Sequence, residues 1–384
     1  MVKGFMARRL AVFLLCIFVL GAFWPARVAA QPAIGAQSGI LVDAQTGQVL
    51  WEKNPHQKRS IASTTKIMTA ALVLERAQFT DIVTTSQEAA DVGEAELYLS
   101  PGEQRTVEEL LYGLLLRSAN DAAMALAEHV GGSVEHFVEL MNKKTELIGA
   151  RNTNFTDPHG LTDGDHYSTA YDLSLIARYA LLDPGFAKIV STEHRTIPWP
   201  DNQYPRELEN HNKLLKRYPY ADGVKTGYTR KAGYCLVASA TKDRAKLLSV
   251  VLGSLTSEAC YTDSERLLDY GFMNFRRERV VQRGKVYKAV NLPVWEGEKL
   301  NLIAISDLFI QVKQNPRTLE NEVSFEEPKV LPIFKGQKFG EVIVTQDGQE
   351  LGRVDLVAQK DIHKPAWWQR VIIFVRSFLG KLGR

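Results

Sequence analysis

Residues 61–76 read Ile61-Ala62-Ser63-Thr64-Thr65-Lys66-Ile67-Met68-Thr69-Ala70-Ala71-Leu72-Val73-Leu74-Glu75-Arg76. The pattern predicts a helix from Ser63 to about Arg76, with Ile67, Met68, Ala70, Ala71, Leu72, Val73 and Leu74 covering every side, so it should be buried all round. Ser63 and Lys66, three apart, fall on one face of its first turn. Free backbone N–H groups and the positive end of the helix converge there. A serine nucleophile needs a base within hydrogen-bond reach and donors for an oxyanion, and this turn can supply both. Alone the pattern is weak. Ser239-Ala240-Thr241-Lys242 repeats it where a strand exits into the polar turn Lys242-Asp243-Arg244, and that copy reads as a solvated turn.

Outward from this helix, Gly39–Asp43 and Gly47–Trp51 read as a β-hairpin. Helical stretches follow at Thr106–Leu116, Asn120–Val130, Val134–Ile148 and Ala170–Leu182. Strands return at Tyr234–Ala240 and Leu247–Leu252, then a helix near Ser264–Phe275. Strands at both ends with helices between predict an α/β domain over 31–278. From 279 to 362 short β-rich runs (Lys288–Leu292, Leu300–Ala304, Phe309–Val312, Glu341–Thr345) alternate with turns, which predicts a small all-β domain.

The 384 residues are 45% hydrophobic and 24% charged, with 47 basic against 44 acidic side chains. That composition is of a globular chain of two or three domains and excludes long disorder. The positive charge sits at the ends. Residues 1–30 carry Lys3, Arg8, Arg9 and Arg27 without an acid, and residues 361–384 carry five basic side chains against Asp361. The body between is mildly acidic, which argues against nucleic acid as a partner. Lys3, Arg8 and Arg9, the apolar run Leu10 to Trp24 and the small residues Val28-Ala29-Ala30 form a secretory signal, with cleavage after Ala30. The run is about fifteen residues, short of the roughly twenty that a span needs. Cys16 follows Leu15 and does not match a lipoprotein attachment site. Export leaves Cys235 and Cys260, which either pair in an oxidising compartment or stay as buried thiols. From Trp367 the apolar residues of 363–384 fall in one broad arc at 100° per residue, with Arg370, Ser377, Lys381 and Arg384 opposite. This predicts an amphipathic helix lying in a membrane interface.

Two further triplets complete the chemistry. Ser118-Ala119-Asn120 lies between helical stretches, and Lys225-Thr226-Gly227 lies in Asp222-Gly223-Val224-Lys225-Thr226-Gly227-Tyr228-Thr229, just before a strand. Singly they read as a helix cap and a strand end. In the order Ser-x-x-Lys, Ser-x-Asn, Lys-Thr-Gly they form the set of penicillin-binding proteins and class A β-lactamases. With Ala232-Gly233-Tyr234 and Leu267-Leu268-Asp269-Tyr270-Gly271-Phe272, the sequence resembles the serine D-alanyl-D-alanine carboxypeptidases, the low-molecular-mass penicillin-binding proteins, over essentially the whole mature chain.

The resemblance implies a penicillin-binding/β-lactamase-like transpeptidase domain: a five-stranded antiparallel sheet flanked by helices, with a helical subdomain, then the all-β domain and the tail. It implies no cofactor and no metal. The substrate would be a peptidoglycan stem peptide ending in D-Ala-D-Ala, β-lactams would be inhibitors, and the enzyme would sit on the outer face of the cytoplasmic membrane. It makes Ser63 the nucleophile, Lys66 the base and Ser118 a proton relay. Asn120 would hold the substrate amide, Lys225 and Thr226 the terminal carboxylate, and the N–H groups of Ser63 and Tyr228, beside Gly227, the oxyanion. Many relatives offer an arginine after the following strand, but Gly253-Ser254-Leu255-Thr256 has none. Three rivals stand against this reading. A class A β-lactamase needs a glutamate between the second and third motifs, yet none occurs between Glu146 and Glu193. A zinc peptidase built from His159, Asp163, Asp165 and His166 lacks a His-Glu-x-x-His helix. A non-catalytic scaffold would be acylated by penicillin without releasing D-alanine.

Overall fold

The computed structural model describes residues 31–364 apart from 163, 201, 293–298, 314–318, 329 and 347. The leader and the tail helix expected from Trp367 lie outside these residues. Among the described residues no helix is long and apolar enough to cross a membrane.

The predicted hairpin forms as β1 (Ser38–Asp43) and β2 (Val49–Lys53). It joins three later strands, β3 (Ala221–Thr229), β4 (Gly233–Lys242) and β5 (Ala245–Ser254). The sheet order is β2-β1-β5-β4-β3, antiparallel throughout. Strand side chains alternate between faces, and both faces are apolar here. Ile40, Val42, Val237, Leu248 and Val250 enter one core, while Leu41, Leu236, Ala238, Leu247 and Val251 enter another.

The first core packs under the helical subdomain: α1 (Lys66–Arg76), α2 (Val107–Tyr112), α3 (Asn120–Gly131), α4 (Val134–Ile148), α5 (Ala170–Ala180) and α6 (Pro184–Val190). The second is covered by α7 (Ser257–Asn274). A two-faced sheet between helical layers leaves β3 as a free edge.

Local departures from the sequence reading have identifiable causes. Ser63 lies not in α1 but in a 3₁₀ turn, Ala62–Thr65, that leads into it. Thr106 opens α2 with a capping box to Glu109, but the helix widens into a π turn over Gly113–Arg117. Such turns gather at functional sites, and this one ends on Ser118. Helix α7 starts seven residues before the expected Ser264, because Thr256 caps the N–H of Ala259. Helix α6 escaped the reading altogether. Lys225-Thr226-Gly227 is not a strand end but lies within the nine-residue strand β3.

The all-β part holds β6 (Phe275–Val281), β7 (Val286–Asn291), β8 (Lys299–Ala304), β9 (Leu308–Lys313), β10 (Leu319–Phe325), β11 (Lys338–Gln346) and β12 (Gln349–Ala358). A five-stranded sheet, β7-β8-β12-β11-β10, and the pair β6-β9 enclose one apolar core. This part meets the hairpin through buried Gln311 of β9. Its Nε2 donates to Asp43 Oδ2 at 2.9 Å, and it exchanges main-chain hydrogen bonds with the Gln48 carboxamide.

Asp43 is buried, and without Gln311 its Oδ2 loses that donor while Oδ1 keeps Gln45 N, Thr46 N and Thr46 Oγ1. Gln311→Ala should lower the unfolding free energy of the full chain by about 1–3 kcal/mol, measured by urea denaturation. A loss below about 0.5 kcal/mol, the range of ordinary surface changes, would show that this network does not hold the two parts together.

Candidate active site

The turn before α1 is forced into shape. Ala62 sits at φ 47°, a left-handed conformation that costs a non-glycine residue energy and persists only where the surroundings impose it. Two glycines crowd the turn. A Cβ on Gly160 would collide with the Ala62 carbonyl, and one on Gly227 would lie 3.0 Å from the Ser63 nitrogen and 3.1 Å from that of Thr64. Strand β3 thereby lies directly against the serine turn. Thr65 Oγ1 ties it further, donating to Ala62 O at 2.8 Å and contacting His166 Nε2 at 2.8 Å.

Lys66 is fully buried. Its Nζ lies 3.0 Å from Ser63 Oγ, 2.7 Å from Asn120 Oδ1 and 2.8 Å from the His159 carbonyl. Among the described residues no carboxylate is in contact with it. Burial, and next the Lys225 charge, push its pKa well below the usual 10.5, against the more distant pull of Asp157 and Asp121. A neutral amine keeps two N–H donors, enough for Asn120 and His159, and its lone pair then accepts the Ser63 hydroxyl proton. Deprotonation therefore turns the third contact into that of a base with its nucleophile.

Lys225, on β3, is buried as well, donates to the Thr226 carbonyl at 2.9 Å and is lowered by desolvation to about 7. Ser118 holds a left-handed backbone at φ 65° after the π turn. It lines, with Ser63, Ala95, Thr226, Gly227 and Tyr228, one cleft of about 270 Å³. Tyr228 is half-exposed on its rim and packs on Tyr234 with ring centroids 4.4 Å apart. Asn120 binds Lys66 with its oxygen and the Gly93 carbonyl, at 2.9 Å, with its nitrogen. One N–H of its carboxamide is engaged, and the second remains to meet a substrate amide.

All eight sequence-predicted residues thus gather around Ser63. The second Ser-x-x-Lys copy does not join them: Ser239 is buried in β4, and Lys242 ends that strand over the Tyr220 ring. His159 and His166 converge on Asp157 (3.1 and 3.5 Å). Among the described residues no group of three or more His, Cys, Asp or Glu is placed to hold an ion.

Asp157 was not singled out from the sequence. Its carboxylate accepts the N–H groups of His159, Gly160 and Thr162, fixing the loop whose carbonyl receives Lys66. Burial raises this acid, but the two imidazoles and the Thr162 and Gly160 hydrogen bonds outweigh it and bring it to about 2. Only the sequence Asp157-Pro158-His159-Gly160 signalled this turn. Cys235 and Cys260 are both free and buried.

Two lowered lysines have a thermodynamic signature. The unfolded chain holds protons on Lys225 between about pH 7 and 10.5 that the folded chain has released, so stability contributed by this group rises with pH through that window. In lysine-selective NMR titration of the full chain, Lys225 should titrate near 7 and Lys66 well below 10.5. Lys225→Met should raise the Lys66 value. An unmoved Lys66 would show that the two charges do not couple.

Comparison with known proteins agrees with this geometry. The sequence profile of the D-alanyl-D-alanine carboxypeptidases matches residues 26–256, and that of the penicillin-binding protein 5 C-terminal domain matches residues 275–364. The chain is 34% identical to the D-alanyl-D-alanine carboxypeptidase DacF of Bacillus subtilis over 98% of each. It is 35% identical to DacA of Haemophilus influenzae over 91% of this chain and 92% of that one. The crystal structure of penicillin binding protein 5 from Haemophilus influenzae superposes with a TM-score of 0.76 at 33% identity, covering 88% of this chain and 100% of the other. With a profile matched over more than half its length and relatives of the same name aligned across nearly all of it, this chain belongs to the D-alanyl-D-alanine carboxypeptidase family.

Proposed function

We propose that the chain removes the terminal D-alanine from peptidoglycan stem peptides ending in D-Ala-D-Ala, through an acyl-enzyme on Ser63. The observation that carries this is the buried Lys66 amine 3.0 Å from Ser63 Oγ, with no carboxylate in contact among the described residues and a pKa pushed well below the usual value. Lys66 takes the hydroxyl proton as Ser63 attacks the carbonyl of the penultimate D-alanine. The C–N bond breaks, and the terminal D-alanine leaves as the amine, protonated through Ser118. Water then hydrolyses the ester. The N–H groups of Ser63 and Tyr228 hold the oxyanion, which the contact of Gly227 with the serine turn supports. Free edge β3 offers its backbone to an extended peptide as an added strand. Burial, helped by the Lys225 charge, keeps Lys66 neutral, and Asn120 orients it. β-Lactams enter as acylating analogues of the same dipeptide.

Incubation with a pentapeptide ending in D-Ala-D-Ala should release free D-alanine, and penicillin should add one drug mass on Ser63. Both should vanish in Ser63→Ala. Lys66→Ala should slow acylation at saturating substrate by roughly 10²–10⁴-fold. Labelling without D-alanine release would leave only a penicillin-binding scaffold, and labelling that survives Ser63→Ala would overturn the nucleophile.

The chain, on this reading, works outside the cytoplasmic membrane, exported by residues 1–30 and held on the outer face by residues 363–384. Support comes from the charged-apolar-small order of the leader and from the tryptophan-rich, cationic, amphipathic tail. Each basic residue near an anionic surface adds about 1 kcal/mol. A chain ending at His363 should leave the membrane fraction and stay active on small peptides. Retention in the pellet, or loss of activity, would mean that the tail is a packed structural helix.

A further inference from the structure

We propose that Lys213 supplies the positive charge that holds the carboxylate of the substrate's terminal residue. The inference rests on the carboxypeptidase reading above, in which a free carboxylate lies one residue beyond the carbonyl attacked by Ser63. That carboxylate must find its partner inside the cleft that holds Ser63.

The other basic groups there are poorly suited. Lys66 is occupied by Ser63, Asn120 and His159. Lys225 is buried against the Thr226 carbonyl, and with a pKa of about 7 it carries only part of a charge at neutral pH. Helix α7 presents Ser257, Cys260 and Tyr261 to the cleft, none of them cationic. His211 lines it too, but burial and the charges of Lys225 and Arg117 lower it to about 4, so it is neutral. Arg117 lines only a neighbouring cavity of about 210 Å³, with Glu193 and Glu209; His211 and Lys213 border both that cavity and the cleft of Ser63, whereas Arg117 does not line the cleft.

Lys213 differs in exposure, in partners and in reaching the cleft itself. It is exposed and lines the cleft together with Ser63, Thr226 and Tyr228. Among the described residues its ammonium has no hydrogen-bond or ion-pair partner. The acids around it are engaged elsewhere: Glu258 with Arg217 at 2.6 Å and Glu209 with Lys216 at 2.7 Å.

Its backbone is fixed in place. Lys213 N donates to Tyr261 Oη at 3.2 Å, and Tyr261 Oη donates to the His211 carbonyl at 3.0 Å. His211 N donates to the Leu116 carbonyl at 3.0 Å, two residues before Ser118, and Asn210 Oδ1 accepts from Asn212 N at 2.9 Å. The turn is clamped between α7 and the π turn that carries Ser118, while the four-carbon stem of Lys213 remains free to reach. A rigid base with a mobile charged tip suits a carboxylate that must enter before the reaction and leave with the product.

The test compares an acyl-L-Lys-D-Ala-D-Ala peptide with its C-terminal amide, using the full chain and its Lys213→Met, Lys213→Arg and Arg117→Met variants. Wild type should prefer the free acid. Lys213→Met should lose about 10- to 100-fold in kcat/KM on the acid, chiefly through KM, the scale of one charge-assisted contact. It should keep its rate on the amide, so that the preference collapses. Lys213→Arg should keep most of it. Melting temperatures should be unchanged, since the side chain is exposed. The inference is overturned if Lys213→Met retains the wild-type preference, if it loses acid and amide equally, or if Arg117→Met abolishes the preference instead. A wild-type chain that releases no D-alanine from the acid overturns the carboxypeptidase reading itself, and this inference with it.

Discussion

Lys66 brings an amine into the protein interior with no carboxylate in contact among the described residues, and much of the surrounding structure is explained by that. Burying a cation unpaired is costly, and the group responds by giving up its proton. The three atoms around Nζ are a hydroxyl, a carboxamide oxygen and a main-chain carbonyl, none of them charged. A second buried lysine adds repulsion. Had either lysine met an aspartate directly, the ion pair would be stable and the base lost. The nearest acids are spent otherwise: Asp157 on the N–H groups of its own loop, Asp121 on those of Leu97, Leu99 and Ala122.

This arrangement is assembled from four separate elements, and the fold brings them to one point. The helical subdomain contributes α1 with its serine turn and the π turn ending in Ser118. The sheet contributes its edge strand, close to the serine turn because residue 227 has no side chain. The loop at 157–160 closes the back, again with a glycine where a Cβ would collide. Two non-glycine residues in left-handed backbone, Ala62 and Ser118, mark where strain is stored, as expected for groups held ready by the rest of the molecule.

The sequence shows much of this because its chemistry is written in short, local patterns. The three triplets name the catalytic groups, and the all-apolar helix 63–76 announces a buried site. What it hides depends on long-range contact. Asp157 acts through backbone N–H groups near itself, yet its target, Lys66, is 91 positions away. Lys213 looks like one more surface lysine in a basic stretch, and only the tertiary fold places it on the cleft that holds Ser63. The sequence does not show the start of α7 because Ser257–Thr262, two exposed polar residues followed by Ala259, Cys260 and Tyr261, is too short to display a helical period. The 3₁₀ and π turns flanking the nucleophile and Ser118 are distortions imposed by packing, which local propensity does not encode.

The central claim is that Lys66 is a neutral amine when Ser63 attacks. The most direct measurement is the pH dependence of the single-turnover rate of Ser63 acylation by a β-lactam. The account predicts that the rising limb, which reports the base of the free enzyme, lies well below pH 10.5. A rate that climbs only near the ordinary lysine value would mean that Lys66 is protonated in the resting enzyme, and would contradict it.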